Sequence, residues 1–363
     1  MSDWQRDIEA AGSTVEVLKP AEGEATPAPA PTTHPLGGEP RWLCELGWPA
    51  NPPPRRYLLM RPPNAKEKQT DSGASPRGFM PANEVCMLAG AGGVGKSYAL
   101  LQLAVAVITG KPWLDRFNVP AEERGPVLAL FGEEKAEEAQ RRLWKVRDAM
   151  QLTRDEWELV RERLDIRPLA GTDVRLVDGE GRLTTTTPGH EALKSLLDKG
   201  SYRLVILDPL SRFAGPETET DNHAATRFVT ALEALVKVKA SGATLMVSHH
   251  TTKEARKTNS GDATAARGAS ALTDGVRWAL TMHHAPVGDE TQLRLCAAKA
   301  NYTPEADPVA LERSDDGVLT AKEIELPPKP TKVSKTRGNG SANHARHFSE
   351  AGERDDDDPT APF

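Results

Sequence analysis

Gly90-Ala91-Gly92-Gly93-Val94-Gly95-Lys96-Ser97 fits the pattern G-x-x-x-x-G-K-[ST], the P-loop. Residues 85–89 before it are an apolar run that predicts a buried strand, and residues 98–108 after it predict an apolar helix. Glycines let such a loop turn sharply and aim its N–H groups at phosphate oxygens, and the helix dipole adds to the attraction. The order of strand, loop and helix therefore favours a nucleotide-binding site over a chance glycine-rich loop.

The pattern gives each residue of the loop a role. Lys96 is expected to reach the β and γ phosphates of ATP, and the Ser97 hydroxyl is expected to ligate Mg²⁺. The remaining predicted contacts with the nucleotide come from Gly90, Gly92, Gly93, Val94 and Gly95.

The alternation of strand and helix patterns around this loop predicts an α/β domain with a mainly parallel sheet over residues 79–326. A strand at residues 127–131 precedes a charged helix at 136–150, and a weaker strand at 164–169 precedes a hairpin around 179–181. The pattern continues with a helix at 190–197, a strand at 202–207, a helix at 224–240, a strand at 243–248 and a terminal antiparallel pair at 276–282 and 292–298.

Composition separates this domain from its flanks. Aromatic residues make up 5% of the chain, and its 29 prolines lie mostly outside the central third, which is typical of a core with flexible ends. Residues 1–40 predict a disordered Pro/Ala-rich extension, and residues 41–78 an ordered segment that packs on the core. Residues 327–363 predict a flexible tail that ends in an acidic Pro-Phe peptide.

Cysteine usage and hydropathy predict a cytoplasmic protein. Cys44, Cys86 and Cys296 lack metal-ligand spacing, which favours thiols in a reducing compartment. No apolar run is long enough to span a membrane, and the amino terminus does not resemble a signal peptide. The net charge of -6 leaves the partner open, because local basic loops can still contact nucleic acid.

Acidic residues that follow two predicted strands are candidates for the chemistry of hydrolysis. Asp208 is expected to hold Mg²⁺, although a strand-end turn with Pro209 also accounts for it. Glu133 is the first candidate to activate water, from the tip of a strand expected to neighbour the P-loop strand, and Glu134 is the second. The alternative is that both glutamates only place negative charge in the first turn of a helix.

A strand predicted at 243–248 ends in His249 and His250, at the sheet edge where α/β proteins bind ligands. One of these histidines could sense the γ-phosphate. A metal site with His283 and His284 is disfavoured, because adjacent strand residues point to opposite faces. The following loop, residues 251–267, predicts either a DNA phosphate contact or a solvated loop, and its basic residues are Lys253, Arg256 and Lys257.

In this order the motifs resemble those of the RecA-like ATPases, and most closely the RepA type of hexameric replicative helicase of plasmids and phages. The resemblance covers residues 79–304. It rests on Gly90–Ser97, Phe131–Glu134, Leu207–Asp208, Ser248–Thr251, Ala266–Ser270 with Asp274–Trp278, and Lys299–Tyr302.

The resemblance implies a RecA-like P-loop NTPase core and a role for each matching residue. Glu133 would activate water, Asp208 would serve Mg²⁺, and His250 would couple the γ-phosphate to the DNA-facing loop. Arg277 would be an arginine finger that enters the site of a neighbouring subunit, unless it is a strand residue in a surface ion pair. Lys299 is a candidate second finger, because related ring helicases place a Lys-x-Arg pair there; the third residue here is Asn301.

The implied function is Mg²⁺-dependent ATP hydrolysis that drives translocation on single-stranded DNA and duplex unwinding in plasmid or phage replication. The implied assembly is a homo-hexamer or another ring. Two alternatives stay open: a recombination or repair ATPase that does not unwind DNA, and a nucleotide-dependent regulatory or defence module with a protein partner.

The last nine residues, 355–363, resemble the C-terminal peptide of bacterial single-stranded DNA-binding proteins. In that resemblance Phe363 docks on a replication partner. The alternative is a solubilising acidic tail.

Overall fold

The computed structural model describes residues 51–64, 67, 75–238, 242–250, 270–287, 290–303 and 306–322. The predicted disordered extension and the whole of the predicted tail, including Phe363, lie outside the described residues. The strands are β1 Tyr57–Arg61, β2 Arg77–Pro81, β3 Val85–Gly90, β4 Val127–Phe131, β5 Leu164–Pro168, β6 Val177–Asp178, β7 Thr185–Thr186, β8 Leu204–Asp208, β9 Thr244–His250, β10 Trp278–Val287, β11 Glu290–Ala300, β12 Val309–Arg313 and β13 Leu319–Lys322. The α-helices are α1 Lys96–Thr109, α2 Ala136–Ala149, α3 Arg154–Arg163, α4 Pro188–Lys199, α5 Leu210–Phe213, α6 Asn222–Val236 and α7 Ser270–Gly275.

Nine of these strands form one sheet in the order β13-β12-β11-β10-β3-β9-β8-β4-β5. The strands from β10 to β5 run parallel, whereas β11, β12 and β13 continue the sheet antiparallel. The predicted α/β class with a mainly parallel sheet is confirmed. The predicted antiparallel pair corresponds to β10 and β11, and the structure adds β12 and β13 beyond it.

Continuous apolar runs form the central strands because both faces of the sheet are covered. In β8, Leu204 and Ile206 pack on the face that carries α1, whereas Val205 and Leu207 pack on the face that carries α6. This alternation is the period of two of a strand. The sheet is therefore the middle layer of the domain, and its strand ends are the places where polar side chains gather.

The strand order corrects one prediction. Glu133 follows β4, which was expected to neighbour the P-loop strand β3. The neighbours of β3 are instead β9 and β10, and β8 and β9 lie between β3 and β4. A crossover helix lets the next strand join the sheet at a distance, and an apolar run carries no information about that distance.

Helix α3 was not predicted, although its start has a clear signal. The Thr153 hydroxyl accepts a hydrogen bond from the Glu156 N–H, and the Glu156 carboxylate accepts one from the Thr153 N–H. This reciprocal capping box fixes the amino end of a helix. The predicted hairpin around residues 179–181 is confirmed by the antiparallel pair of β6 and β7.

The amino-terminal strands β1 and β2 pair antiparallel, and Leu58, Leu59 and Met80 are buried in the core on the α1 side. Residues 41–50, which include both tryptophans of the predicted packing segment, lie outside the described residues. No helix among the described residues is long and apolar enough to cross a membrane.

Candidate active site

The P-loop connects β3 to α1 through two glycines in left-handed conformation. Gly93 has a φ of 77° and Gly95 a φ of 107°, a region that residues with a β-carbon rarely adopt. Gly90 is required for a different reason, which is close packing: a β-carbon there would lie 2.8 Å from the Met282 carbonyl oxygen. Helix α1 begins directly after Gly95, so its unpaired N–H groups face the loop. The result is a cradle for an anion.

Lys96 lies on the floor of this cradle. Its ammonium donates hydrogen bonds to the carbonyl oxygens of Gly90 at 2.9 Å and Ala91 at 3.0 Å. The side chain is buried, which strengthens the field that its charge exerts on a ligand. The P-loop thus holds the Lys96 ammonium beside the place where an anion would bind, and the lysine would neutralise that anion.

A cavity of about 230 Å³ opens above the P-loop. It lies at the carboxyl ends of the parallel strands, where α/β sheets bind ligands. The structure brings together there eight of the residues predicted for the site: Gly93, Gly95, Lys96, Ser97, Glu133, Glu134, Asp208 and His250. The other lining residues are Arg142, Pro209 and Arg313.

Asp208 ends β8 at the wall of this cavity and is only 5% exposed. The Ser248 hydroxyl on the neighbouring strand β9 donates a hydrogen bond to its carboxylate. The free side of the carboxylate and the Ser97 hydroxyl are hard oxygen ligands, the type that Mg²⁺ prefers beside phosphate oxygens. The donor set fits this ion, although no group of three or more His, Cys, Asp or Glu side chains within the described ranges could hold a metal unaided.

The two glutamates after β4 have different surroundings. The Glu133 carboxylate is half exposed and accepts a hydrogen bond from Arg212 Nε at 3.2 Å. Glu134 is more buried and pairs with the Arg142 guanidinium at 2.5 Å. Burial raises the pKa of Glu134, and Arg142 opposes this rise while the Asp208 carboxylate adds to it. Both glutamates line the cavity and both pair with an arginine, but the Glu133 pair is longer and about half exposed, whereas the Glu134 pair is short and mostly buried.

His250 ends β9 at the cavity, whereas its neighbour His249 is buried, with Nδ1 3.7 Å from the Glu219 carboxylate. Burial lowers the pKa of His250, and the Lys96 ammonium adds to the decrease. The imidazole is therefore neutral near pH 7 and can donate or accept one hydrogen bond without adding a charge.

Comparison with known families agrees with this geometry. A model of the AAA domain matches residues 65–256, which is just over half of the 363 residues and spans the P-loop, Glu133, Asp208 and His250. The chain belongs to the AAA domain family. Membership supports nucleotide-dependent ATPase activity as the chemistry of the cavity, and it implies bound nucleotide with, typically, a divalent metal ion.

Arg277 and Lys299 lie outside the cavity of this AAA domain. The Arg277 N–H donates to the Val85 carbonyl oxygen at 3.3 Å, which places it beside the first residue of β3. The P-loop begins at Gly90, five residues further along the same strand, or roughly 16 Å away. The exposed Arg277 side chain is therefore too far from the cavity of its own chain. Lys299 is near Arg277, and its ammonium bonds to carbonyl oxygens of α7.

Two arginines of the cavity were not predicted. Arg142 projects from α2, where it also pairs with Glu138, and Arg313 projects from β12 and donates to the Gly93 carbonyl oxygen at 2.7 Å. The pair of Arg142 with Glu138 has helical i,i+4 spacing, which is a local signal, but Glu134 lies eight residues before Arg142 and outside α2. Nothing in the sequence links Arg313 to the P-loop 220 residues earlier.

The contact of β12 and β13 with the P-loop explains how Arg313 arrives there. The buried Gln102 amide of α1 donates to the Leu319 carbonyl oxygen at 2.8 Å and accepts from the Leu319 N–H at 3.0 Å. This pair of hydrogen bonds fastens β13, and with it Arg313 of β12, beside the cavity. The predicted DNA contacts Lys253, Arg256 and Lys257 lie outside the described residues.

Proposed function

We propose that this AAA-domain protein is a Mg²⁺-dependent ATPase that works as a ring of like subunits, translocates on single-stranded DNA and unwinds duplex in replication. The separation of Arg277 from the cavity of its own chain is the observation that carries this proposal. The carboxyl ends of the parallel strands have the groups that bind and activate ATP, and the amino ends have an exposed arginine. If the carboxyl ends of one subunit faced the amino ends of the next, the two would come together.

Each residue then has a defined task. Lys96 and the P-loop N–H groups bind the phosphates, and Ser97 with Asp208 holds Mg²⁺, which neutralises charge on the transferring phosphoryl group. Glu133 orients the attacking water and accepts its proton, since its half-exposed carboxylate is held only by a longer, exposed contact with Arg212. Arg277 of the next subunit stabilises the charge that develops on the γ-phosphate, an effect worth on the order of 1000-fold or more in rate.

Single-stranded DNA enters the proposal through the basic residues Lys253, Arg256 and Lys257 and through the motif order of residues 79–304. These residues come directly after His250, which lines the cavity. From this position His250 would contact the γ-phosphate, and the contact would couple hydrolysis to movement of the segment that holds DNA.

The test is steady-state ATP hydrolysis with and without single-stranded DNA over a protein dilution series. Wild type is compared with Arg277→Ala and with Arg154→Ala, which removes an exposed arginine of α3 as a matched control. We expect stimulation by DNA, loss of activity on dilution, and loss in Arg277→Ala only. A rate that DNA does not change would favour a module that acts on a protein partner.

Unwinding needs its own assay, with a forked duplex labelled on one strand. Displacement that requires ATP supports a helicase. DNA-stimulated hydrolysis without displacement would instead favour a recombination or repair ATPase.

A further inference from the structure

Lys299 lies in β11, and its side chain reaches the end of the short helix α7. The ammonium donates to the carbonyl oxygens of Asp274 at 2.7 Å and Thr273 at 3.2 Å. Carbonyl groups in the last turn of a helix have no partner within the helix, and a cation there interacts favourably with the helix dipole. Two of the three N–H donors of Lys299 are thus used within its own chain.

The turn that Lys299 holds leads directly to Arg277. Only Val276, which is buried, lies between the last residue of α7, Gly275, and this arginine. The Arg277 backbone is bonded on both sides, because its N–H donates to Val85 and its carbonyl oxygen accepts from the Asn301 N–H, each at 3.3 Å. The side chain alone is exposed, so the position of its backbone determines where the guanidinium projects.

Helix α7 is also fixed on its other side. The Ala271 N–H donates to the Asn222 side-chain oxygen at 3.2 Å, at the start of α6. A β-carbon on Gly275 would lie 2.8 Å from Val229 of α6, so this approach requires glycine. Helix α7 begins one residue after the segment 251–269, which contains Lys253, Arg256 and Lys257. A short, anchored helix therefore joins this segment to Arg277.

The surroundings of the Lys299 ammonium are those of a structural contact rather than of an arginine-finger-like group that reaches another subunit. Burial lowers its pKa, with the Asp274 carboxylate opposing this effect and the Arg277 guanidinium adding to it. An arginine finger acts through exposed donors that reach a phosphate in the next subunit. Lys299 is partly buried, and its nearest acceptors are carbonyl oxygens of α7.

We propose that Lys299 is a positioning residue that acts within its own chain, where it holds the carboxyl end of α7 and so determines where Arg277 projects. In this role it is not a second finger. The proposal rests on the proposed function of Arg277, but the contact between Lys299 and α7 can be tested without it.

The experiment uses the full chain with Lys299→Met, which shortens the side chain by only one heavy atom and removes its charge and donors. Hydrogen exchange of the amides in α7 and at residues 276 and 277 is measured first. We expect faster exchange there, and unchanged exchange there in Lys322→Met, which removes an exposed lysine of β13. Unchanged exchange in Lys299→Met would overturn the proposal.

The second measurement is a double-mutant cycle on DNA-stimulated ATP hydrolysis with Lys299→Met, Arg277→Ala and the combination. A positioning residue lowers the rate by about 10- to 100-fold, since small misplacements of a catalytic group are costly. Once Arg277 is absent it should cause no further loss. A second finger would add its own loss in the combined variant, and that result would also overturn the proposal.

Hydrogen exchange tests the contact between Lys299 and α7 separately from the function of Arg277. If Arg277→Ala is fully active, the finger assignment fails, and hydrogen exchange still decides the contact. If Lys299→Met does not fold, Lys299→Gln, which keeps N–H donors without the charge, replaces it. Near-normal exchange with Gln supports the hydrogen-bonding role, and exchange as fast as in an unfolded segment argues against it.

Discussion

The two ends of the parallel strands in the central sheet have different functional groups. At the carboxyl ends of the parallel strands, Lys96, Glu133, Asp208 and His250 share one cavity. At the amino ends, Arg277 is exposed and Lys299 is occupied with α7. Among the residues that the structure describes, the carboxyl ends of the strands have the cavity with the P-loop and the acidic residues, whereas the amino ends have an exposed arginine and no such cavity. This difference is the basis of the proposal that the reaction is divided between two copies of the chain.

The largest effect is expected from a substitution at the carboxyl ends of the strands. Lys96→Ala removes the buried ammonium that faces the phosphates, so both nucleotide binding and hydrolysis should fall, with a loss in kcat/KM on the order of 1000-fold. Fluorescent-nucleotide titration and a hydrolysis assay measure the two. Lys111→Ala, which removes a lysine paired with Glu156 on the surface, is the control. Wild-type nucleotide affinity in Lys96→Ala would place the binding site elsewhere.

A smaller effect separates the two glutamates at the same ends of the strands. Glu133→Gln should lower kcat by about 100-fold or more, because a general base contributes on this scale, and should leave ATP affinity unchanged. Glu134→Gln should cost less, because Arg142 holds its carboxylate in a shorter and more buried ion pair than the pair of Glu133 with Arg212. Parallel single-turnover assays give the ratio. A greater loss in Glu134→Gln would transfer the role of base to Glu134.

The lowered pKa of His250 predicts a difference in acid stability. The folded chain holds this proton more weakly than the unfolded chain, so stability falls as pH decreases through the ordinary histidine range, near 6.5. The groups around it are Lys96, Glu133, His249 and Asp208.

Urea denaturation at pH 7.5 and 5.5 measures this difference. The loss of stability at the lower pH should be smaller in His250→Gln than in wild type, by less than about 1 kcal/mol, because solvent screens a half-buried side chain. The control His223→Gln, which removes an exposed histidine, should follow wild type. Equal losses in wild type and His250→Gln would contradict the lowered pKa.

The smallest effect is expected from a substitution near the amino ends of the strands. The Arg55 guanidinium lies 3.6 Å from the centre of the Tyr302 ring, near the residues that bond to Arg277. Since the pair is partly exposed, Arg55→Ala should lower the free energy of unfolding by less than about 1 kcal/mol. Hydrolysis should be unchanged. A rate loss as large as that of Arg277→Ala would make Arg55 part of the assembly surface.

Local patterns predicted much of the molecule. The P-loop, the buried strands and the acid at the end of β8 follow from short stretches of sequence, because their physics is local. The position of β4 did not follow, since sheet order depends on how each crossover helix packs. The Ser248 contact with Asp208 and the Arg313 contact with Gly93 join residues 40 and 220 positions apart, and no periodicity reports such contacts.

The role of Lys299 shows the same limit. Its place near Arg277 was expected from the motif order, and a second finger was the natural interpretation. The hydrogen bonds to α7 depend on the register of β11 against β10, which aligns Lys299 with Ala279. Register is set by packing across the sheet.

The most direct test of a divided site is subunit mixing. Lys96→Ala chains have a defective cavity and an intact Arg277, whereas Arg277→Ala chains have the reverse. Each should be nearly inactive alone. Mixing them should restore DNA-stimulated ATP hydrolysis, because some neighbours then combine an intact cavity with an intact arginine. If the two variants assemble together, as checked by mass spectrometry, and activity does not return, or if Arg277→Ala is active by itself, the division between two copies is wrong.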